Sequence, residues 1–197
     1  MYKESTLLIV LGAILVGTSG QIIYSGPCPD NIQTVDSLDI QKYLGSWYEY
    51  GKYPVYFENE GKCVMAKYTL NADGSVKVQN SLVNERTNIY ENIIGSASVV
   101  APGKLFVQFP VSPSYNVSSN YWVLDTDYDN YATVYSCTPL SSESHATIVW
   151  ILTRDQIPSA TVIDKAASAL VKNNISLLPL KITNQISCGD VKEQKDM

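Results

Sequence analysis

The chain has 197 residues, 45% of them hydrophobic, which is enough for one domain with a substantial core. Its formal charge of −5 and its scattered Lys and Arg residues exclude the basic surface that nucleic-acid binding requires, so we expect no nucleic-acid partner. The sequence contains no nucleophile elbow, H-E-x-x-H or P-loop motif, which argues against the common classes of hydrolase and nucleotide-binding enzyme.

Residues 1–20 have the three-part layout of a secretory signal peptide. Lys3 supplies the positive charge, residues 7–16 are apolar, and residues 17–20 are small enough for cleavage. The apolar run is too short to cross a bilayer, and later apolar stretches are interrupted by charges or turn residues. We therefore predict a secreted, extracellular protein with no integral membrane segment, whose single mature domain is 21–197.

The mature chain begins with an irregular arm, 21–43, in which Asp39 is placed to cap a single helical turn. Short strand-like runs separated by turn residues then follow at hairpin spacing. The predicted strands are 46–52, 64–70, 75–83, 88–100, 104–111, 119–125, 131–137 and 145–153. They predict an all-β, eight-stranded antiparallel up-and-down barrel covering 44–154.

One helix, at about 159–172, is predicted after the last strand, with Ser159 as its N-cap. That strand is apolar on both faces, since Trp150 alternates with Val149 and Ile151, so we expect the helix to cover the barrel from outside. The tail, 173–197, is expected to be irregular and to fray at its charged end.

Alternation within the predicted strands also points to a ligand. Val76, Val78 and Asn80 share one face of their strand, while Lys77 and Gln79 share the other. A buried Asn is unusual in a solid core, because its amide needs hydrogen-bond partners. A barrel that encloses a small molecule could supply them.

Four cysteines in an oxidising compartment predict two disulfides, and the residues alone leave all three pairings of Cys28, Cys63, Cys137 and Cys188 open. No pair has C-x-x-C spacing, so we expect no metal site. Two N-glycosylation motifs begin at Asn116, which we expect in a loop, and at Asn174.

Three short regions resemble the signatures of the lipocalin family, in the right order. Gly45-x-Trp47 opens the first strand, Thr126-Asp127-Tyr128 lies between the sixth and seventh, and Arg154 follows the eighth. From Cys28 to Cys188 the chain resembles insect bilin-binding proteins and apolipoprotein D-like lipocalins. The shared segments include Gly61-Lys62-Cys63, Ala66-x-Tyr68-Thr69, Ser75-Val76-Lys77-Val78-x-Asn80 and Val149-Trp150-x-Leu152-x-Arg154.

The resemblance implies the pairs Cys28–Cys137 and Cys63–Cys188, and a barrel floor at Gly45 where Arg154 stacks on Trp47. It implies a small hydrophobic ligand in the barrel, with the bilin pigment biliverdin as the leading candidate, and no catalytic cofactor. The expected ligand-binding residues are Asn80, Trp150, Tyr68, Leu82, Val78, Ile93, Val107, Phe109, Tyr121, Val134, Ile148 and Phe57, the last beside Tyr56 at the mouth.

Other functions stay open at this point. Leu82 and Gln108 stand where a pigment-binding relative has His and Lys, which favours a carrier of another lipophile: a fatty acid, retinoid, carotenoid or sterol. An isomerase on this fold would need an unpaired cavity thiol, and an even cysteine count argues against one. We expect the lone His145 at the barrel rim, without a catalytic role. An interaction protein with an empty barrel, and a homo-oligomer, also stay open.

Overall fold

The computed structural model describes residues 21–55, 61–112 and 114–188; the predicted signal peptide and the expected mouth residues Tyr56 and Phe57 lie outside these ranges. The described chain forms ten strands and two helices. In chain order they are β1 (Ile22–Ser25), α1 (Ile40–Tyr43), β2 (Gly45–Lys52), β3 (Gly61–Leu70), β4 (Val76–Asn84), β5 (Tyr90–Ala101), β6 (Lys104–Ser112), β7 (Tyr115–Thr126), β8 (Tyr131–Ser141), β9 (Ser144–Thr153), α2 (Ala160–Lys172) and β10 (Lys181–Ile182).

Strands β2 to β9 form a closed antiparallel barrel, which confirms the predicted fold. Each strand pairs with the next along the chain, and the barrel closes where Tyr48 of β2 pairs with Thr153 of β9. Helix α2 packs outside, as predicted. In the part of the chain that the structure describes, neither helix combines the length and apolar composition needed to cross a membrane.

The strands divide the apolar side chains between two cores because successive residues point to opposite faces. Trp150 and Leu152 of β9 point into the barrel. Val149 and Ile151 point outward and are covered by Leu170 and other residues of α2. As predicted, the side chain of Ser159 caps α2 by accepting a hydrogen bond from the backbone N–H of Val162.

Two short strands were not predicted, because the arm and the tail show no apolar alternation of their own. Strand β1 extends the sheet along β9 from Ile22 opposite Thr147 to Ser25 opposite Ser144. Strand β10 lies beside β2, with Lys181 opposite Lys52. Both are ordered by the edge that they join, a tertiary contact that local sequence does not encode.

Strand β7 is longer at its start than predicted, which changes the setting of one glycosylation motif. It begins at Tyr115, so Asn116 lies in the ladder opposite Pro110 and not in a loop. The side chain of Asn116 is exposed. The pairing with β6, rather than the local Ser- and Asn-rich sequence, determines this strand.

The tail completes the barrel wall where β2 separates from β3. Beyond Tyr48 these two strands no longer pair, and the tail lies between them. The side-chain amide of Gln185 donates to the carbonyls of Glu49 on β2 (3.0 Å) and Val64 on β3 (2.8 Å). The N–H of Cys63 donates to Asn184. The described part of the tail is therefore part of the wall, whereas its charged end, which was expected to fray, lies outside the described residues.

Both disulfides form the pairs that the resemblance implied. Cys28 is bonded to Cys137, which fastens the arm to β8. Cys63 is bonded to Cys188, which fastens the tail to β3 close to the contacts of Gln185. The described chain has no free cysteine, so no thiol is available there for cavity chemistry.

Candidate functional site

The closed end of the barrel is built on Trp47 and Arg154. The indole is completely buried, and the guanidinium carbon lies 3.7 Å from its ring centroid, as the resemblance implied. The guanidinium also donates to the carbonyls of Tyr128, Ser46 and Lys42 at 2.8–2.9 Å. Gly45 enters β2 with φ +95°, and a Cβ there would lie 3.3 Å from Nη1 of Arg154. The glycine allows both the backbone turn and the close approach of the guanidinium.

The inner wall above this floor brings together the described residues that the sequence suggested for ligand contact. Strand alternation and pairing place on it Tyr68, Val78, Asn80, Leu82, Ile93, Val107, Phe109, Tyr121, Val134, Ile148 and Trp150. Ile93 is 36% exposed, which fits a position toward the open end. Gln108 does not lie on the inner wall, unlike its neighbours Val107 and Phe109. It pairs with Ser96 and Ser118 and faces outward. Phe57 lies outside the described residues.

Asn80 has an unmet hydrogen-bonding need on the inner wall. It lies opposite Ala66 of β3 and Ile93 of β5. Its side-chain carbonyl oxygen is buried, and among the described residues it has no donor. A buried carbonyl without a donor lowers the stability of the protein by about 1–3 kcal/mol. A bound molecule that donates to this oxygen removes the penalty, which favours its binding.

Three tyrosine hydroxyls form a chain deeper in the barrel. The Tyr121 hydroxyl lies 2.9 Å from the hydroxyls of both Tyr43 and Tyr68. Each tyrosine has one O–H hydrogen, so two bonds use two of the three hydrogens whatever the donor order. One O–H hydrogen of this tyrosine trio thus has no acceptor among the described residues. The interior therefore offers one unused donor as well as the unused Asn80 acceptor.

The tyrosine trio is neutral at physiological pH. Burial raises the pKa of the Tyr68 hydroxyl to about 12, and it raises the pKa of Tyr43 and Tyr121 well above the ordinary value. Tyr68 adds to the rise of the pKa at Tyr43, and Tyr43 and Tyr68 both add to the rise at Tyr121, because a second phenolate close by would be repelled. The trio therefore acts as a set of hydrogen-bond donors and not as a base. Tyr43 was not predicted, since it belongs to the short helix α1 and not to a strand.

We expect Tyr121→Phe to destabilise the barrel more than Tyr68→Phe. Loss of the central hydroxyl breaks both bonds and leaves two buried hydroxyls without a partner, costing about 2–4 kcal/mol. Loss of the Tyr68 hydroxyl breaks one bond, but Tyr43 and Tyr121 stay bonded to each other, so no buried hydroxyl is left without a partner. We expect this change to cost about 1 kcal/mol. Urea unfolding of both variants measures the difference. Equal losses would show that the trio is not a connected chain.

An ion pair on the same inner wall was also missed by sequence reasoning. Residues 49 and 52 would face opposite sides of a regular strand, but an irregularity between Glu49 and Gly51 changes the register. Glu49 then lies opposite Leu152 and Lys52 opposite Trp150, so both face inward. Lys52 Nζ lies 3.2 Å from the Glu49 carboxylate, and both side chains are at most 10% exposed. A buried pair of this kind places strong local charge beside Trp150.

His145 lies at the start of β9, but it is buried beneath the arm and not open at the rim. Its Nδ1 lies 2.8 Å from the carbonyl of Gly26, and its ring stacks on Tyr24 with centroids 5.7 Å apart. The Ser144 hydroxyl pairs with Ser141. The structure therefore gives His145 a packing role that holds β1 against β9.

Comparisons with known proteins agree with this architecture. Residues 38–185 match the family model described as a lipocalin-like domain. The chain is 37% identical over 187 residues to apolipoprotein D of Cavia porcellus, covering 93% of this chain and 96% of that protein. It is 30% identical over 191 residues to Lazarillo protein of Schistocerca americana, covering 94% and 87%.

A solved structure, that of insecticyanin from the tobacco hornworm Manduca sexta, superposes with a TM-score of 0.75 at 28% identity. The match covers 84% of this chain and 89% of insecticyanin. The closed barrel, its floor and these matches lead to one conclusion: the chain belongs to the lipocalin family.

Proposed function

We propose that this protein is an extracellular carrier that encloses a small hydrophobic molecule in its barrel. The observation that carries the proposal is the buried carbonyl of Asn80, which has no donor among the described residues. An apolar wall with a few unmet polar groups is typical of a ligand site. Affinity would come mainly from buried apolar area, at roughly 25 cal/mol per Å², and the polar groups would fix orientation. No catalytic step is part of the proposal.

The extracellular location is supported by the two long-range disulfides and by the signal-peptide layout of residues 1–20. Disulfides persist in oxidising compartments and are rare in the cytosol. The separations of 109 and 125 residues mean that both bridges tie distant parts of the chain together. A domain that depends on them would be unstable under reducing conditions.

The ligand that we propose first is a bilin, with biliverdin as the leading example. A bilin lactam both donates and accepts hydrogen bonds, which matches the Asn80 carbonyl and the unused O–H of the tyrosine trio. Its conjugated rings could stack on aromatic side chains. Tyr121 and Trp150 offer such a surface, with centroids 6.4 Å apart and planes 26° apart. The similarity to insect bilin-binding proteins agrees with this choice.

The second candidate is another lipophile: a fatty acid, retinoid, carotenoid or sterol. It is favoured by the 37% identity to apolipoprotein D over nearly the whole chain. Leu82 favours it too, because this inward residue is aliphatic and adds no polar group next to Asn80. The same unused donor and acceptor would suit a neutral carboxylic acid or a hydroxyl group.

A titration with biliverdin distinguishes the two. We expect a shifted visible absorption band and quenched tryptophan fluorescence, with Asn80→Leu weakening binding about tenfold through loss of one hydrogen bond. Gln79→Leu is the matched control, since Gln79 lies on the same strand and faces outward. It should leave the affinity unchanged.

A chain that gives no spectral change with biliverdin, yet binds a fluorescent fatty acid or retinol, would support the second candidate. A chain that binds none of these would contradict the carrier proposal. Equal affinity of Asn80→Leu and the unmodified chain for the bound ligand would remove Asn80 from the site.

A further inference from the structure

An exposed apolar patch lies outside the barrel, at the end of α2. Val171, Leu177 and Leu178 are 60%, 41% and 94% exposed. Together with Asn174, Ile175 and Ser176 they line one shallow depression, the tail patch. Single exposed apolar residues are ordinary, but a contiguous group on a protein meant for aqueous fluid needs a cover.

Asn174 lies within this patch and is held in a defined conformation. Its backbone has φ +56°, a left-handed value that Asn tolerates at the end of a helix. Its N–H donates to Val171 (3.0 Å), and the next N–H, of Ile175, donates to Leu170 (2.9 Å). The side-chain amide is exposed and has no hydrogen-bond partner among the described residues. The backbone is therefore fixed while the amide is free.

The turn after Asn174 is anchored to the barrel. The Ser176 carbonyl accepts from the buried Tyr53 hydroxyl, and the Ser176 hydroxyl accepts from the N–H of Leu178 (3.2 Å). Asn174, Ile175 and Ser176 form a complete Asn-x-Ser acceptor motif. The motif thus begins inside the depression, next to the apolar residues that lack a cover.

We infer that Asn174 carries an N-linked glycan and that its first sugars cover the tail patch. The Nδ2 atom of Asn174 forms a bond to the anomeric carbon of a lipid-diphosphate-linked oligosaccharide. The anomeric C–O bond breaks with its electron pair passing to the diphosphate, and Nδ2 loses one proton. The inference rests on entry into the secretory pathway, which is part of the proposed function. A bulky, soluble glycan on this turn hides Leu178 from other molecules without touching the barrel interior.

The modification is tested by expressing the full chain in insect cells and measuring its mass before and after glycosidase treatment. Asn174→Asp and Ser176→Ala should each lose the mass of one N-glycan. Ser176→Thr preserves the motif and should keep that mass. An unchanged mass in Asn174→Asp would overturn the inference.

The covering role is tested on a hydrophobic-interaction column and by the oligomeric state of the same samples. Asn174→Asp should be retained longer and form more dimer than the unmodified chain, and adding Leu178→Ser should reverse both shifts. Asn116→Asp is the control, because Asn116 lies on β7 opposite Pro110 and does not line the tail patch, and it should change neither. Retention unaffected by loss of the Asn174 glycan would overturn the covering role.

Failure of this inference can be separated from failure of the proposed function. Secreted protein that binds its ligand but has no glycan at Asn174 contradicts the inference alone. Protein that stays inside the cell contradicts the extracellular carrier itself.

Discussion

Arg154→Ala is expected to lower the free energy of unfolding by about 3–5 kcal/mol. The guanidinium stacks on Trp47 and donates to the carbonyls of Tyr128, Ser46 and Lys42. A cation–π contact contributes about 1 kcal/mol and each charge-assisted hydrogen bond about 1.5–3 kcal/mol, less where solvent reaches it. Alanine fills none of these positions, so the floor loses its link between α1, β2 and the turn before β8. Guanidinium chloride unfolding followed by tryptophan fluorescence measures the loss.

Arg154→Lys is the matched control. The ammonium keeps the positive charge over Trp47 but lacks the planar fork that reaches several carbonyls at once. We expect it to lose about half as much stability as Arg154→Ala, or about 2 kcal/mol. A lysine variant as stable as the unmodified chain would mean that charge alone holds the floor. An alanine variant with a loss below 1 kcal/mol would contradict the floor's structural role.

The floor could be predicted because Gly45-x-Trp47 and Arg154 resemble lipocalin signatures, and that resemblance implied the stacking. The structure gives its physical basis: Gly45 and Trp47 begin β2, Arg154 directly follows β9, and these two strands pair where the barrel closes. The face of the inner wall could be predicted from the residues themselves, because period-two alternation places Val78 and Asn80 on one side of β4. The barrel was confirmed because each of its strands pairs with the next along the chain, which is the order that hairpin spacing predicts.

The polar groups inside the barrel could not be predicted, because they depend on departures from regularity. Glu49 and Lys52 share a face only because β2 changes register beside Gly51. Tyr43 joins the tyrosine trio from a helix of one turn, which no strand pattern covers. Such features arise from tertiary packing, and local sequence does not encode them.

The tail gave the least sequence signal and has the largest unpredicted role. Nothing in the alternation of 181–188 marks it as part of the wall, yet Gln185 bridges β2 and β3. Hydrogen bonds to β2 and β3 hold this segment in the wall, and the Cys63–Cys188 bridge is its covalent link to β3. Such a segment should detach once that covalent link is lost, even where the barrel stays folded.

Replacing both Cys63 and Cys188 with serine is therefore expected to cost about 5 kcal/mol of unfolding free energy, the chain-entropy value for a loop of this length. The bridge closes a separation of 125 residues, whereas Cys28–Cys137 closes 109, so the same model predicts nearly equal losses for the two double serine variants. The difference should appear in local opening. Without Cys63–Cys188 the tail should be cut rapidly by a protease after Lys181, because hydrogen bonds such as those of Gln185 can open locally once the covalent link is lost.

The Cys28→Ser/Cys137→Ser variant supplies the comparison, since its tail keeps both the disulfide and the Gln185 contacts. It should lose similar global stability while its tail stays protected in limited proteolysis read by mass spectrometry. Equal cleavage after Lys181 in both variants would show that the tail follows global unfolding and is not an independent part of the wall. Cleavage in the Cys63→Ser/Cys188→Ser variant alone would show that this one disulfide keeps the wall closed. The reason is that β2 and β3 do not pair with each other beside the tail.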